Sequence, residues 1–486
     1  MENYLKMKYK LFPCILLVIA FLYPVVISAQ PKDSDNLQFD SLATRWDEGM
    51  PLGNGWLGEL IWKKEDKLRI SLDRVDLWDD RPMPKIGELK FKWVVAQVDK
   101  GKYDTVQKIG DAPYDNNPAP TKIPAAALEF NKNAFGKVIS NVLDIKKALS
   151  TIQFENGVIM YNYVHATDQV GYFSFENSST SRSPINVNDC IPQLMIPDYN
   201  SSEKNADDNS HGGEGLQTLG YKKGTITKTT NSIRYHQPAW NGNYYEVLVQ
   251  WLQVSPNEVI GSWTISNNKK AFLTPIKEEA KELPGWKSHI NWWNHFWEHS
   301  AVSLPDSILE RQYYLELYKM GCVARNNTPP VSLQAIWTAD NGNLPPWKGD
   351  IHNDLNTELS YWPFYTGNQL EEAKSFTNWL WKTKEQNKKW TKNYFGVNGL
   401  NVPGVTTITG KEMGGWIQYS MSPVTAAWLA RFFYLQWKYS MDQQFLLQKC
   451  KPYFDEIHLY FKNIMAIDPG TKKYKLPLNS SPEIFD

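Results

Sequence analysis

The sequence predicts a multidomain β plus α protein: an N-terminal β-sandwich, a linker helix and a partial α/α barrel. Three observations predict it. Residues 36 to 275 carry strand-like runs rich in β-branched and aromatic residues, separated by turn clusters. Near residue 276 the apolar spacing changes to that of a helix. Beyond Pro305 the chain reads as successive helices joined by long glycine-rich loops.

The sandwich begins with two runs, Glu59 to Trp62 and Lys67 to Leu72, on either side of a charged turn at Lys63 to Asp66. Val158 to Val164 and Tyr244 to Trp251 are further strands, with turn clusters at 177–184 and 207–215. Many strands with few helical patterns place this domain at residues 30–275. Residues 276–304 form the linker, with Trp286, Trp293, Phe296 and Trp297 at helical spacing. The third domain, 305–486, opens with Asp306 as N-cap of a helix from Ser307 to Cys322 that is apolar on more than one face. Ser422-Pro423 reads as a cap followed by proline at the first helical position, leading into a helix over 424–439. Another helix follows around 453–465, and the long loop 396–415 lies between. Paired helices with long loops at one end point to the α/α barrel.

Composition narrows the partners. The chain's 52 basic and 52 acidic residues cancel, so charge gives no case for nucleic acid or an anionic membrane surface. Aromatic residues make up 14% of the chain, with 21 Trp and 25 Tyr. Most serve core packing, but flat apolar faces with polar edges also suit sugar rings. Lys6, Lys8 and Lys10 precede an uncharged, mostly apolar run from Leu11 to Ser28, and Ser28-Ala29-Gln30 offers a small-residue cleavage site. Residues 1–29 therefore read as a secretory signal peptide, which implies a secreted or periplasmic protein; an uncleaved anchor is the alternative. Cys190, Cys322 and Cys450 are far apart and odd in number, which fits neither a disulfide framework nor a zinc site.

Two motifs invite readings that their context does not support. Gly53 to Gly58 matches G-x-G-x-x-G, but Pro51 precedes it and a strand follows, so a tight turn fits better than a dinucleotide site. His352, Asn353 and Asp354 could ligate a metal, but no second ligand cluster stands at suitable spacing. No metal and no cofactor is expected.

The chemistry concentrates in residues 329–363. Prolines, glycines and tryptophans shape this stretch, with Trp337 and Trp347 as ring surfaces. Gln334, Asp350, His352, Asn353, Asp354, Asn356 and Glu358 supply polar groups. Such a mixture suits a cleft that binds a polyhydroxylated ligand; the plainer reading is a polar loop that caps a helix. A second cluster, 476–486, holds Glu483 between proline and isoleucine. An apolar setting raises a carboxyl's affinity for its proton, as a general acid requires.

These segments resemble glycoside hydrolase family 95, the inverting α-L-fucosidases. Pro51-Leu52-Gly53-Asn54-Gly55-x-Leu57-Gly58 with Leu77-Trp78 is similar to the family's opening signature. Leu333-Gln334-x-Ile336-Trp337, Pro346-Trp347, Asp354-Leu355-Asn356 and Tyr361-Trp362-Pro363 are similar to its central one, and Ser481-Pro482-Glu483 to its third. The resemblance implies an N-terminal supersandwich, a linker, an (α/α)6 barrel and a C-terminal β domain. It implies metal-free hydrolysis of terminal α-L-fucosides, or related α-L-galactosides, of oligo- or polysaccharides with inversion. Glu483 then matches the general acid and Asn356 an asparagine that positions the attacking water. Asp354 stands where the family usually has a second asparagine, so it is either the base itself or a sugar ligand. His352, Asn353, Trp337, Trp347, Gln334 and Glu358 are the candidate substrate-binding residues.

The family's remaining catalytic aspartate would lie beyond residue 486. Twelve barrel helices need roughly 350 residues, and 305–486 supply about half. A half-barrel would expose apolar helix faces, which predicts poor stability without a partner for them. The alternative function is a non-catalytic carbohydrate-binding protein derived from such an enzyme. A sugar phosphorylase is a third reading, since several share this layout, but no basic or hydroxyl cluster for phosphate stands near Asp354.

Overall fold

The computed structural model describes residues 30–177, 184–202, 211–277, 283–337 and 342–479. The proposed leader and Glu483 fall outside these ranges. Sixteen strands of the described residues precede the linker. They are β1 (Leu37–Phe39), β2 (Met50–Gly53), β3 (Leu57–Lys64), β4 (Lys67–Arg74), β5 (Trp78–Asp79), β6 (Thr121–Lys122), β7 (Ala126–Asn131) and β8 (Val138–Asp144). There follow β9 (Leu149–Phe154), β10 (Val158–Val164), β11 (Gly171–Asn177), β12 (Gln193–Met195), β13 (Thr225–Lys228), β14 (Ser232–Pro238), β15 (Tyr244–Ser255) and β16 (Glu258–Asn267).

Two antiparallel sheets use these strands. One runs β1-β8-β9-β10-β11-β16-β15-β14-β13, the other β12-β7-β4-β3-β2, and β5 pairs with β6 apart from both. Their inner faces meet in one core: Ile61, Ile70 and Leu128 of the smaller sheet with Ile152, Phe173 and Val249 of the larger. In β14 buried and half-buried residues alternate strictly, as one buried face requires.

Two helices interrupt this β domain, where the sequence pattern gave few helical signals: α1 (Phe91–Val98) and α2 (Tyr103–Asn116). Gly110 and Pro113 lie inside α2 and mask its helical character. Gly110 is required there, because a Cβ would strike the side chain of Ile417. The pair packs on the helical domain rather than on the sheets, with the Phe91 ring against Phe395 and Tyr394.

The linker helix, α3 (Trp286–Trp297), buries His289, Trp293, Phe296 and Trp297. His289 Nε2 donates to Lys147 O at 2.7 Å and Nδ1 accepts from Ala166 N, which fixes the neutral tautomer; burial pushes its pKa down to about 3. The next helix, α4 (Ser307–Val323), has Asp306 as N-cap, accepting from Ile308 N and Leu309 N. It packs on the edge of the sandwich: Tyr318 Oη donates to Pro51 O at 2.8 Å, and Gly55 N donates to Cys322 O at 2.6 Å. Gly53 to Gly58 is thus the β2–β3 hairpin with Gly55 at φ +81°, and it seats the helical domain. Asn54 holds the turn, accepting from Trp56 N and Leu57 N and donating to His165 O and Asp168 O. Arg325 ties the parts together. It donates to Gly321 O, Ala324 O and Ala166 O and stacks 3.7 Å over the Trp292 ring.

Four longer helices of the described residues follow: α5 (Leu355–Thr366), α6 (Leu370–Tyr394), α7 (Thr425–Ser440) and α8 (Lys451–Ile464). A short connection, 367–369, joins α5 to α6, and a partly helical one, 441–450, joins α7 to α8. Longer ones, 324–354 and 395–424, lead into α5 and α7. Consecutive helices joined by short links lie side by side. Their core gathers Tyr361, Phe364, Phe376, Leu380, Leu429 and Phe432. Helix α7 begins at Thr425 rather than directly after Pro423. Its open N–H groups are met from outside the segment: Asn401 Oδ1 accepts from Ala426 N at 3.0 Å. Leu355, Leu359, Tyr434, Tyr439 and Leu459 are exposed along these helices. No helix of the described residues is long and apolar enough to cross a membrane.

Candidate active site

The end of the stretch from 329 to 363, residues 355–363, is helix. Asp354 is the N-cap of α5, and its carboxylate accepts from Asn356 N at 3.3 Å. Pro363 sits within the helix, a position from which a sequence reading turns away. The first turn of α5 therefore presents Asp354, buried, and Asn356, exposed, at the positive end of a helix.

The segment before α5 is braced from two sides. Strand β17 (Ile351–His352) pairs with β18 (Val405–Thr406). The Asn353 side chain is fully buried and donates to Pro403 O and to Thr406 Oγ1, both at 3.1 Å. Asn353 thus pins the two long loops together. Thr357 Oγ1 donates to His352 O, closing the turn into α5.

Asp350 is the hub of the other side. One oxygen accepts from His352 Nδ1 at 2.7 Å and the other from Tyr114 Oη at 3.2 Å. With Nδ1–H so engaged, Nε2 is the acceptor nitrogen of a neutral His352 ring. Lys348 Nζ lies 4.8 Å over the Tyr114 ring and donates to Asn117 O at 2.5 Å. Helix α2 of the first domain thereby holds the loop of the second. Asp111 of the same helix accepts from Ile417 N at 2.9 Å, and burial raises its carboxyl to about 6.

Backbone strain collects here. Ala335, Trp347, Lys348 and Trp416 all take left-handed conformations, with φ of 48°, 46°, 56° and 39°. Non-glycine residues hold such angles only when the surroundings over-determine them, and they concentrate at ligand sites. Trp347 and Trp416 are each more than a third exposed, and the Trp416 ring lies 6.1 Å from that of Tyr114.

The remaining predicted residues distribute differently. Trp337 Nε1 donates to Leu52 O at 3.0 Å and anchors the domain junction. Gln334 is half-buried in the turn that packs beside Gly349 and Asp350. Glu358 is buried one turn along α5. Burial raises its carboxyl, the Trp428 N–H and the Arg431 guanidinium oppose this, and the charge of Asp354 adds to the rise. Tyr114 and Trp416 were not singled out in the sequence. Gly414-Gly415 before Trp416 was the available signal; Tyr114 offered none.

Residues 303–485 match the glycosyl hydrolase family 95 catalytic domain. Residues 37–235 match the N-terminal domain of glycosyl hydrolase family 65, so the sandwich is of that type. Alpha-L-fucosidase 2 of Arabidopsis thaliana is 26% identical over 148 residues, which are 30% of this chain and 17% of that protein. The solved structure of a candidate kojibiose phosphorylase from the human microbiome superposes with a TM-score of 0.58 at 14% identity. It covers 92% of this chain and 60% of that one. That likeness concerns the fold alone. The chain spans less than two thirds of the length of either protein. Within the family 95 match lie Asp350, His352, Asp354, Asn356 and Glu358, and in sequence also Glu483.

Proposed function

We propose that this chain carries the sugar-cleaving site of a secreted or periplasmic glycoside hydrolase acting on terminal α-L-fucosyl or α-L-galactosyl residues with inversion. The observation that supports it most is the coincidence of the family 95 match with the first turn of α5, where Asp354 and Asn356 stand beside the loops that carry Trp347 and Trp416. In this reading Glu483 donates a proton to the leaving glycosidic oxygen. A water steered by the Asn356 amide and the Asp354 carboxylate attacks the anomeric carbon from the opposite face. Trp347 and Trp416 flank the sugar as ring surfaces, and His352, held by Asp350, stands among the polar groups that face it.

The test is release of free L-fucose or L-galactose from 4-nitrophenyl α-L-glycosides, with the anomer followed by NMR in the first minutes. The expected product is the β-anomer, and Glu483→Gln abolishes its release. Retention of configuration, or undiminished turnover by that variant, overturns the mechanism. Saturable glycan binding by the wild type without turnover selects a non-catalytic sugar-binding protein instead.

A further inference from the structure

A second cleft lies between the sandwich and the helical domain. Its volume is about 760 Å³, within the range of small-ligand sites. Asp350, His352, Asp354, Asn356, Trp347 and Trp416 are not among its lining residues. From the sandwich come Trp56, Trp78 and Tyr244, three half-buried rings; amides come from both domains, with Asn243, Asn327 and Gln386 among them. Flat faces interleaved with neutral donor–acceptor groups are what a polyhydroxylated ring requires.

Both aspartates of the cleft are paired with cations, and Lys382 adds an exposed ammonium to the lining. Asp76 is paired with Arg74 at 2.5 Å, and Asp80 with Lys411 at 2.6 Å. Asp80 Oδ2 also accepts from Thr409 Oγ1 at 2.8 Å, while its Oδ1 is buried without a hydrogen-bond partner. A buried acceptor left open is costly unless a ligand or water donates to it. The open Asp80 oxygen fits a hydroxyl donor.

We propose that this cleft is an accessory subsite for a neutral oligosaccharide. The segment 405–411 joins it to the first site: Val405 pairs with His352 at one end, and Thr409 and Lys411 bind Asp80 at the other. A glycan held here is anchored on the face next to the α5 loops. The proposal stands whether or not the chain hydrolyses glycosides, because it concerns binding alone.

The experiment is titration calorimetry of the full chain with maltohexaose, cellohexaose and xylohexaose, and with hexagalacturonate as the anionic counterpart. At least one neutral hexasaccharide is expected to bind saturably. Tyr244→Ala combined with Gln386→Ala should weaken it at least about tenfold, the scale of losing one well-packed contact residue. Asn243→Ala, at an exposed turn, is the second variant and should weaken binding in the same direction; near-UV circular dichroism checks that both variants are folded. Asp354→Asn should leave this binding unchanged. No binding of any neutral hexasaccharide, equal binding by the folded variants, tighter binding of hexagalacturonate, or loss of binding in Asp354→Asn alone each overturns the proposal.

Discussion

The side chain and carbonyl of Ile336 press so closely on Gly58 that a β-carbon there would collide with both. Gly53, on the paired strand, meets the Ile336 side chain in the same way. Two glycines of one hairpin thus form the seat for a residue of the helical domain. Gly58→Ala should cost about 1–3 kcal/mol, the usual range for overpacking a closed interior. Urea denaturation monitored by tryptophan fluorescence measures it. An unchanged midpoint would show that the junction yields without cost.

Arg325 contributes to stability through three carbonyls and one indole. Burial lowers its pKa to about 10, a direction opposed by the charge of Glu372. Arg325→Met keeps the apolar stem but leaves the carbonyls of Gly321, Ala324 and Ala166 without their donor. Each buried orphan acceptor costs about 1–3 kcal/mol. A loss of at least about 3 kcal/mol is expected in the same denaturation experiment, and a loss below 1 kcal/mol contradicts the account.

Glu59 is a buried carboxyl in the sandwich, with Trp263 Nε1 donating to one oxygen at 3.2 Å and the other oxygen unpartnered. Burial raises its pKa to about 8 from the ordinary 4.5. The folded state therefore holds a proton that the unfolded state loses first. Its contribution is fully present below pH 4.5 and is lost as pH rises through 8. Glu59→Gln should match wild type near pH 4 and exceed it by a few kcal/mol near pH 8.5. Thermal unfolding at the two pH values tests this; equal gaps at both would remove Glu59 from the explanation.

Asp354→Asn separates two roles of one carboxylate. Asparagine caps a helix about as well as aspartate, so stability should change by less than about 0.5 kcal/mol. If the carboxylate steers the attacking water, kcat falls at least about a hundredfold with little change in KM. A rise in KM at constant kcat would make Asp354 a sugar ligand. Asn356→Ala should lower kcat without disturbing the cap, because only its backbone N–H is engaged there.

Where partners are close in sequence, the fold was legible. β3 and β4 are strand-like runs on either side of one charged turn and pair with each other, and Asp306 announces α4 by its own cap. The elements that escaped reading are held by distant residues. Helices α1 and α2 are fixed by Phe395, Tyr394 and Ile417, some 300 positions away. Helix α5 contains a proline and α6 is a strongly charged run, and both owe their place to packing against α7 rather than to local propensity. The same division applies to the site. Asp350, His352, Asp354 and Asn356 stand in one motif and could be named from it. Tyr114 and Trp416 come from a β-domain insertion and a later loop, and no spacing rule connects them to it.

The positive φ at Trp347 and Trp416 has a consequence for selectivity. A left-handed φ fixes the course of the backbone at these two turns, and so the points on which the indoles are mounted, while the rings still turn about their own side-chain bonds. Under the proposed function, the spacing of those two mounting points sets the width of the gap offered to a pyranose. Altering which monosaccharide is accepted should therefore depend more on redrawing these two turns than on exchanging the polar groups around them.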